Sequence, residues 1–205
     1  MACERDRIVK IIEYLESLGI TVNIGKNKAR GNKGFFKVKG NQYRIDIANS
    51  INDEELFPLV VHEFAHFLHF KYDKTLKSLD FILKSKEETL QEEMIALTVE
   101  QIPKKSIAPL FKAKEELMEE IPKTFGIASE LRKHALRRVN SKISRLNRYY
   151  NQPTELFARA LEMYFTSYDS CKKLAPIFTE TIDCHLKTGK IAILCEFAKA
   201  CNNTN

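Results

Sequence analysis

Residues 62–66 read His-Glu-Phe-Ala-His, inside the apolar stretch LVVHEFAHFLHF. In an α-helix, positions i and i+4 lie one turn apart on the same face, so His62 and His66 can offer two imidazoles to one tetrahedral metal ion. Glu63 is rotated by about 100° from His62. That rotation lets a carboxylate act as general base on a metal-activated water without itself becoming a ligand. The neighbours Val60, Val61, Phe64, Phe67 and Leu68 supply the apolar surround of a buried site helix.

A hydrolytic zinc ion takes three protein ligands and keeps one position open, so a third ligand must come from elsewhere in the chain. His69 falls near the face of His66. The spacing that would recruit a third histidine from the same segment needs glycine at 69 and histidine at 72, where this chain has His69 and Tyr72. Glu92 and Glu93, in QEEMIALTVEQIP, lie on an expected helix. Glu155, in YYNQPTELFARALEMYF, stands in the first turn of a helix opened by Pro153. Leu156, Phe157, Ala160, Leu161, Tyr164 and Phe165 form a packing stripe beside it. An acid held close to so apolar a surface is costly unless a cation or metal compensates it. Glu162, two turns on, shares the face of Glu155 and could accept a hydrogen bond from a ligand histidine, or simply pair with Arg159.

The second segment resembles that of gluzincin metallopeptidases, whose H-E-x-x-H helix is joined after a helical insertion by a helix reading roughly P-x-E-x-F-A-x-A-x-E. Lethal-factor-like toxins and peptidase domains of phage and mobile elements have this arrangement. The resemblance implies a zincin-like fold, one catalytic Zn2+, and His62, His66 and Glu155 as its ligands. It also implies Glu63 as base, and Tyr149 (or Tyr150) as donor to the oxyanion. Such enzymes bind substrate as an added strand on a sheet edge. A second resemblance, to ImmA/IrrE-type regulatory peptidases, rests on the E-x-x-A step at Glu93 and Ala96 and would make Glu93 the third ligand; Leu97, Val99 and Glu100 depart from that family's continuation.

These residues need elements to hold them. Ile8, Ile11, Ile12, Leu15 and Leu18 recur at helical intervals over 6–18, with Gly19 as a stop. From Ile20 to Ile47 the runs ITVNI, FFKVK and QYRIDIA alternate and are rich in β-branched and aromatic residues, which predicts a small antiparallel sheet. Asn52 and Asp53 are candidate caps for the motif helix at 54–71, with Pro58 in or near its first turn. Helical patterning then covers 75–83, 85–101, 108–120, 129–150, 153–168, 174–186 and 190–200. The expected class is α+β: a single zincin-like domain over 1–205, with the sheet and motif helix in 1–71 and a mostly helical part in 72–205.

The composition fits that class. With 205 residues, 44% hydrophobic, 29% charged, 7 Gly and 6 Pro, the chain is long enough for a core and is neither collagenous nor low-complexity. Its apolar runs are too short and too often broken by charge to span a bilayer, and MACERDRIVK does not resemble a secretory signal. Cys3, Cys171, Cys184, Cys195 and Cys201 are odd in number and lack C-x-x-C spacing, as expected of buried thiols in the cytosol.

The net charge of +6 is uneven. Lys26, Lys28, Arg30, Lys33, Lys37, Lys39 and Arg44 crowd one segment. Arg132, Lys133, Arg137, Arg138, Lys142, Arg145 and Arg148 recur down another with no acid between them. Weak binding of a polyanion is one expectation, and a nucleic-acid-binding protein with an inactive site is the competing class. The leading expectation is a zinc peptidase acting on a protein or peptide substrate.

Overall fold

The computed structural model describes residues 2–25, 33–76, 87–101 and 104–202. Helix α1 (Ala2–Ser17) leads into strands β1 (Ile20–Ile24), β2 (Gly34–Lys39) and β3 (Gln42–Ile47). The motif helix α2 (Asp53–Leu76) follows, then α3 (Glu87–Gln101), α4 (Lys104–Glu120), a 3-10 turn at Ile121–Lys123 and α5 (Gly126–Tyr150). Four helices end the fold: α6 (Pro153–Thr166), α7 (Tyr168–Leu174), α8 (Pro176–Thr188) and α9 (Ala192–Asn202). The class is α+β, as expected. The helix expected at 75–83 lies largely outside the described residues.

The sheet differs from the expected antiparallel one. Its order is β1-β3-β2, with β2 antiparallel to β3 but β1 parallel to β3. Lys39 pairs with Gln42 across the two-residue turn Gly40-Asn41, and Gly40 has a φ of 59°, which a tight hairpin requires. Among the described residues β3 is therefore the central strand and β2 an outer one. Ile45 and Ile47 of β3 point into the core, and Tyr43 lies edge-on to Phe67 of α2 at 5.3 Å.

Helix α2 begins with Asn52, whose side-chain oxygen accepts the Glu55 N–H at 2.8 Å, and with three acids in its first turn. Pro58 is not in that turn but a further half-turn in, where it removes the N–H that would bond the Glu54 carbonyl. Burial explains how the helix tolerates it. From Val60 to Leu68 only His66 is not fully buried, so packing on every side holds the helix. Helix α6 lies against it, with Leu156, Phe157, Ala160 and Leu161 buried. Phe64 stacks on Phe197 of α9 with centroids 3.8 Å apart, closing the core from the C-terminal side.

One short helix, α7, was not expected. The expected helices 153–168 and 174–186 resolve into α6, α7 and α8, because Ser167 leaves the helical conformation and Pro176 opens α8. Helices α4 and α5 form a hairpin, packed on each other through half-buried Leu110, Ala113 and Leu117 on one side and Leu136, Val139, Ile143 and Leu146 on the other. No residue of α5 is buried. The thiols also differ among themselves: Cys171 and Cys201 are buried, Cys195 is half-buried, Cys184 is exposed, and all four are free.

Candidate metal centre

Helices α2 and α6 bring three of the expected residues together. His62 Nε2 and His66 Nε2 are 3.2 Å apart; His66 Nε2 is 3.3 Å from Glu155 Oε1, and His62 Nε2 is 3.7 Å from Glu155 Oε2. Two ligand atoms at about 2.0–2.1 Å from a common tetrahedral centre lie roughly 3.3 Å apart, so the separations suit one small ion. Among the described residues, His62, His66 and Glu155 form a group that could hold a metal.

The hydrogen bonds around the group point the same way. His62 Nδ1 lies 3.0 Å from Glu162 Oε2. Donating the Nδ1 proton there leaves the Nε2 lone pair directed at His66 and Glu155. Facing lone pairs repel unless a proton or cation sits between them. Glu155 Oε2 is buried with no hydrogen-bond partner, which is the atom a metal would satisfy.

Local sequence explains the position of each group. Pro153 occupies the first turn of α6, and Glu155 sits there too, where the free N–H groups of the helix start favour a carboxylate. Burial raises the Glu155 pKa, but hydrogen bonds from His66 and Tyr149 outweigh it and hold the group below the usual carboxylate range. Burial likewise opposes charge on His62, and Glu162, Glu63 and Glu155 overcome it, so its pKa is raised. Glu63 is only 3% exposed, and burial pushes its pKa up against the pull of His62 and His66. The Phe36 N–H of β2 donates to its carboxylate, while Glu63 Oε2 stays buried and without a partner.

A cleft of about 650 Å³ opens beside these groups. One wall is β2, contributing Gly34, Phe35, Phe36 and Val38; the other carries His69, Tyr149 and Thr154. Tyr149, at the end of α5, donates its hydroxyl to Glu155, and burial together with that carboxylate raises its pKa. Tyr150 instead lies under the Arg159 guanidinium, 4.9 Å from its ring centre. Arg159 does not pair with Glu162; its Nε is 3.9 Å from Glu155 Oε2.

The other candidates lie elsewhere. Glu93 accepts the Ile177 and Phe178 N–H groups at 3.2 and 3.0 Å, so it caps the start of α8, and Glu92 is exposed. His69 lines the cleft outside the three-residue group. Of the two remaining histidines, which the sequence marks as ordinary surface or core residues, His134 is exposed and His185 is buried in α8. Sequence reasoning missed Gly34. A Cβ there would lie 3.1 Å from Leu59 Cδ1 and 3.2 Å from Glu63 Oε1, so glycine lets β2 approach the carboxylate without displacing either side chain. The Gly-Phe-Phe step carried no local signal for that contact.

No family model matches the chain, and neither curated proteins nor solved structures give a match. No described helix is long and apolar enough to cross a membrane.

Proposed function

We propose that the protein is a zinc-dependent peptidase. The observation that carries this reading is the convergence of His62, His66 and Glu155 beside Glu63, which lines the same cleft and has one buried oxygen without a partner. Two imidazoles and one carboxylate with room for a further ligand form a donor set that suits catalytic zinc. Zinc held there would supply Lewis acidity and bring the pKa of water from near 16 to about 7.

The chain's own residues divide the remaining work. Glu63 accepts the proton of the attacking water and returns it to the leaving amine; its raised pKa suits both transfers. Glu162 fixes the His62 ring and tautomer. Tyr149, turning from Glu155 to the substrate, donates to the oxygen on which negative charge develops. The outer edge of β2 offers main-chain groups to an extended peptide, which gives affinity without demanding a particular sequence.

The test combines metal analysis with cleavage of an unfolded protein such as casein. Wild type should hold one zinc per chain and cleave. Glu63→Gln should hold the same zinc and lose on the order of 100- to 10,000-fold in rate. Equal rates for wild type and Glu63→Gln, or no zinc in freshly purified wild type supplied with the metal, would overturn the reading.

A further inference from the structure

The hairpin α4–α5 carries a surface that the metal centre does not use. On α5, the half-buried stripe Leu136, Val139, Ile143 and Leu146 packs toward α4, and the opposite face carries Arg137, Arg138, Lys142, Arg145 and Arg148, all exposed. Among the described residues none of these five makes an ion pair. The acids of the hairpin, Glu115, Glu116, Glu119, Glu120 and Glu130, are all at its turn end, where Glu120 pairs with Arg132 and Glu130 with Lys133. The segments 104–114 and 131–150 contain no acid at all. In the earlier basic segment Lys33 pairs with Glu55 and Arg44 with Asp46, which leaves only Lys37 and Lys39 without an ion pair among the described residues; Lys26, Lys28 and Arg30 lie outside them.

We infer that the outward face of α5 binds the phosphate backbone of a nucleic-acid duplex. Five cations spread over about 16 Å of a straight helix match a rigid line of phosphates. Ser141 and Ser144, on the same side, add hydroxyl donors of the kind that contact phosphate oxygens. A protein partner would need apolar anchors at the centre of the contact, and from Arg137 to Arg148 this face presents none. A single strand would need aromatic rings for its bases to stack on, and the face presents none of these either. The inference rests on α5 alone and stands or falls apart from the peptidase reading.

The full-length protein should be titrated against a fluorescein-labelled DNA duplex of about 25 base pairs, with anisotropy read at several salt concentrations. Five phosphate contacts give a slope of log affinity on log salt of about −4 to −5, roughly 500-fold between 50 and 200 mM. Replacing Arg137, Arg138, Lys142 and Arg145 with Gln should reduce the slope to about −1 and weaken binding on the order of 100-fold. The same change at Lys172, Lys173, Lys187 and Lys199 should shift affinity less than about threefold. Should the fourfold variant misfold by circular dichroism, Arg137→Gln/Arg138→Gln and Lys142→Gln/Arg145→Gln should each remove roughly half of the slope. An unchanged slope in folded variants, absence of binding at 50 mM salt, or tighter binding of polyglutamate or single-stranded RNA would overturn the inference.

Discussion

Glu162 Oε2 and His62 Nδ1 lie 3.0 Å apart although 100 residues separate them in the chain. Through this contact, a residue outside the three-residue group sets the direction in which an imidazole presents its lone pair. Glu162→Ala should therefore weaken zinc binding about 10- to 100-fold in competition with a chromophoric chelator. Glu162→Gln keeps an acceptor and should lose less. Equal affinity in Glu162→Ala and wild type would show that the ring is held by packing alone.

Tyr149 is the cleft residue whose hydroxyl reaches the Glu155 carboxylate. In the proposed reaction, Tyr149→Phe should lower kcat on the order of 100- to 1,000-fold with little change in KM, since one donor to the developing charge is lost. Zinc content should stay at the wild-type level. Loss of zinc would instead assign the hydroxyl to holding Glu155.

Gly34 is the point where the sheet touches Glu63. In Gly34→Ala the added methyl forces Leu59 or Glu63 to shift by a few tenths of an ångström, and in Gly34→Val by more. We expect a graded fall in cleavage rate, small for Ala and large for Val, with zinc content retained. A melting temperature that falls while the rate per folded molecule is unchanged would limit the contact to packing.

The two histidines and Glu155 join α2 to α6, so occupancy should stabilise the fold. Zinc at 100 times its dissociation constant should add about 2.7 kcal/mol to unfolding in urea. Glu155→Ala should abolish that increment and, because it also removes the acceptor of His66 and Tyr149, cost the metal-free protein about 1–3 kcal/mol.

Cys201 gives a pH dependence far from the site. Burial lifts its thiol from 9.0 to about 12, against the opposing pull of Arg7. The folded state thus keeps a proton that the unfolded chain releases above pH 9. Its contribution is fully present below that pH and is lost as pH rises toward 12, by on the order of 1 kcal/mol at pH 10. Urea unfolding at pH 8 and pH 10 should show this loss, and Cys201→Ala should lack it. The same slope in both proteins would place the loss on another group.

Local spacing made part of the site legible. His62 and His66 share a face because any i, i+4 pair does, and Glu155 and Glu162 were placed by a Pro-opened helix with a clear apolar stripe. What escaped was long-range. Alternation marks β1, β2 and β3 as strands but does not say that β3 takes the centre, so the parallel pairing of β1 was missed. Glu93 fits a ligand pattern by sequence, yet its carboxylate goes to backbone N–H groups of α8, a partner that no local window contains. Pro58 reads as a residue in or near the first turn because isolated helices reject proline further in; it stands just beyond that turn, where the buried stretch from Val60 to Leu68 holds the helix.

The α4–α5 hairpin branches off between the helices that supply the two parts of the metal group, and no α5 side chain enters the core. The free-energy cost of closing such an excursion grows only with the logarithm of its length. Up to the turn before Tyr149, then, this arm is an accessory whose length can change without rebuilding the group of residues at its base.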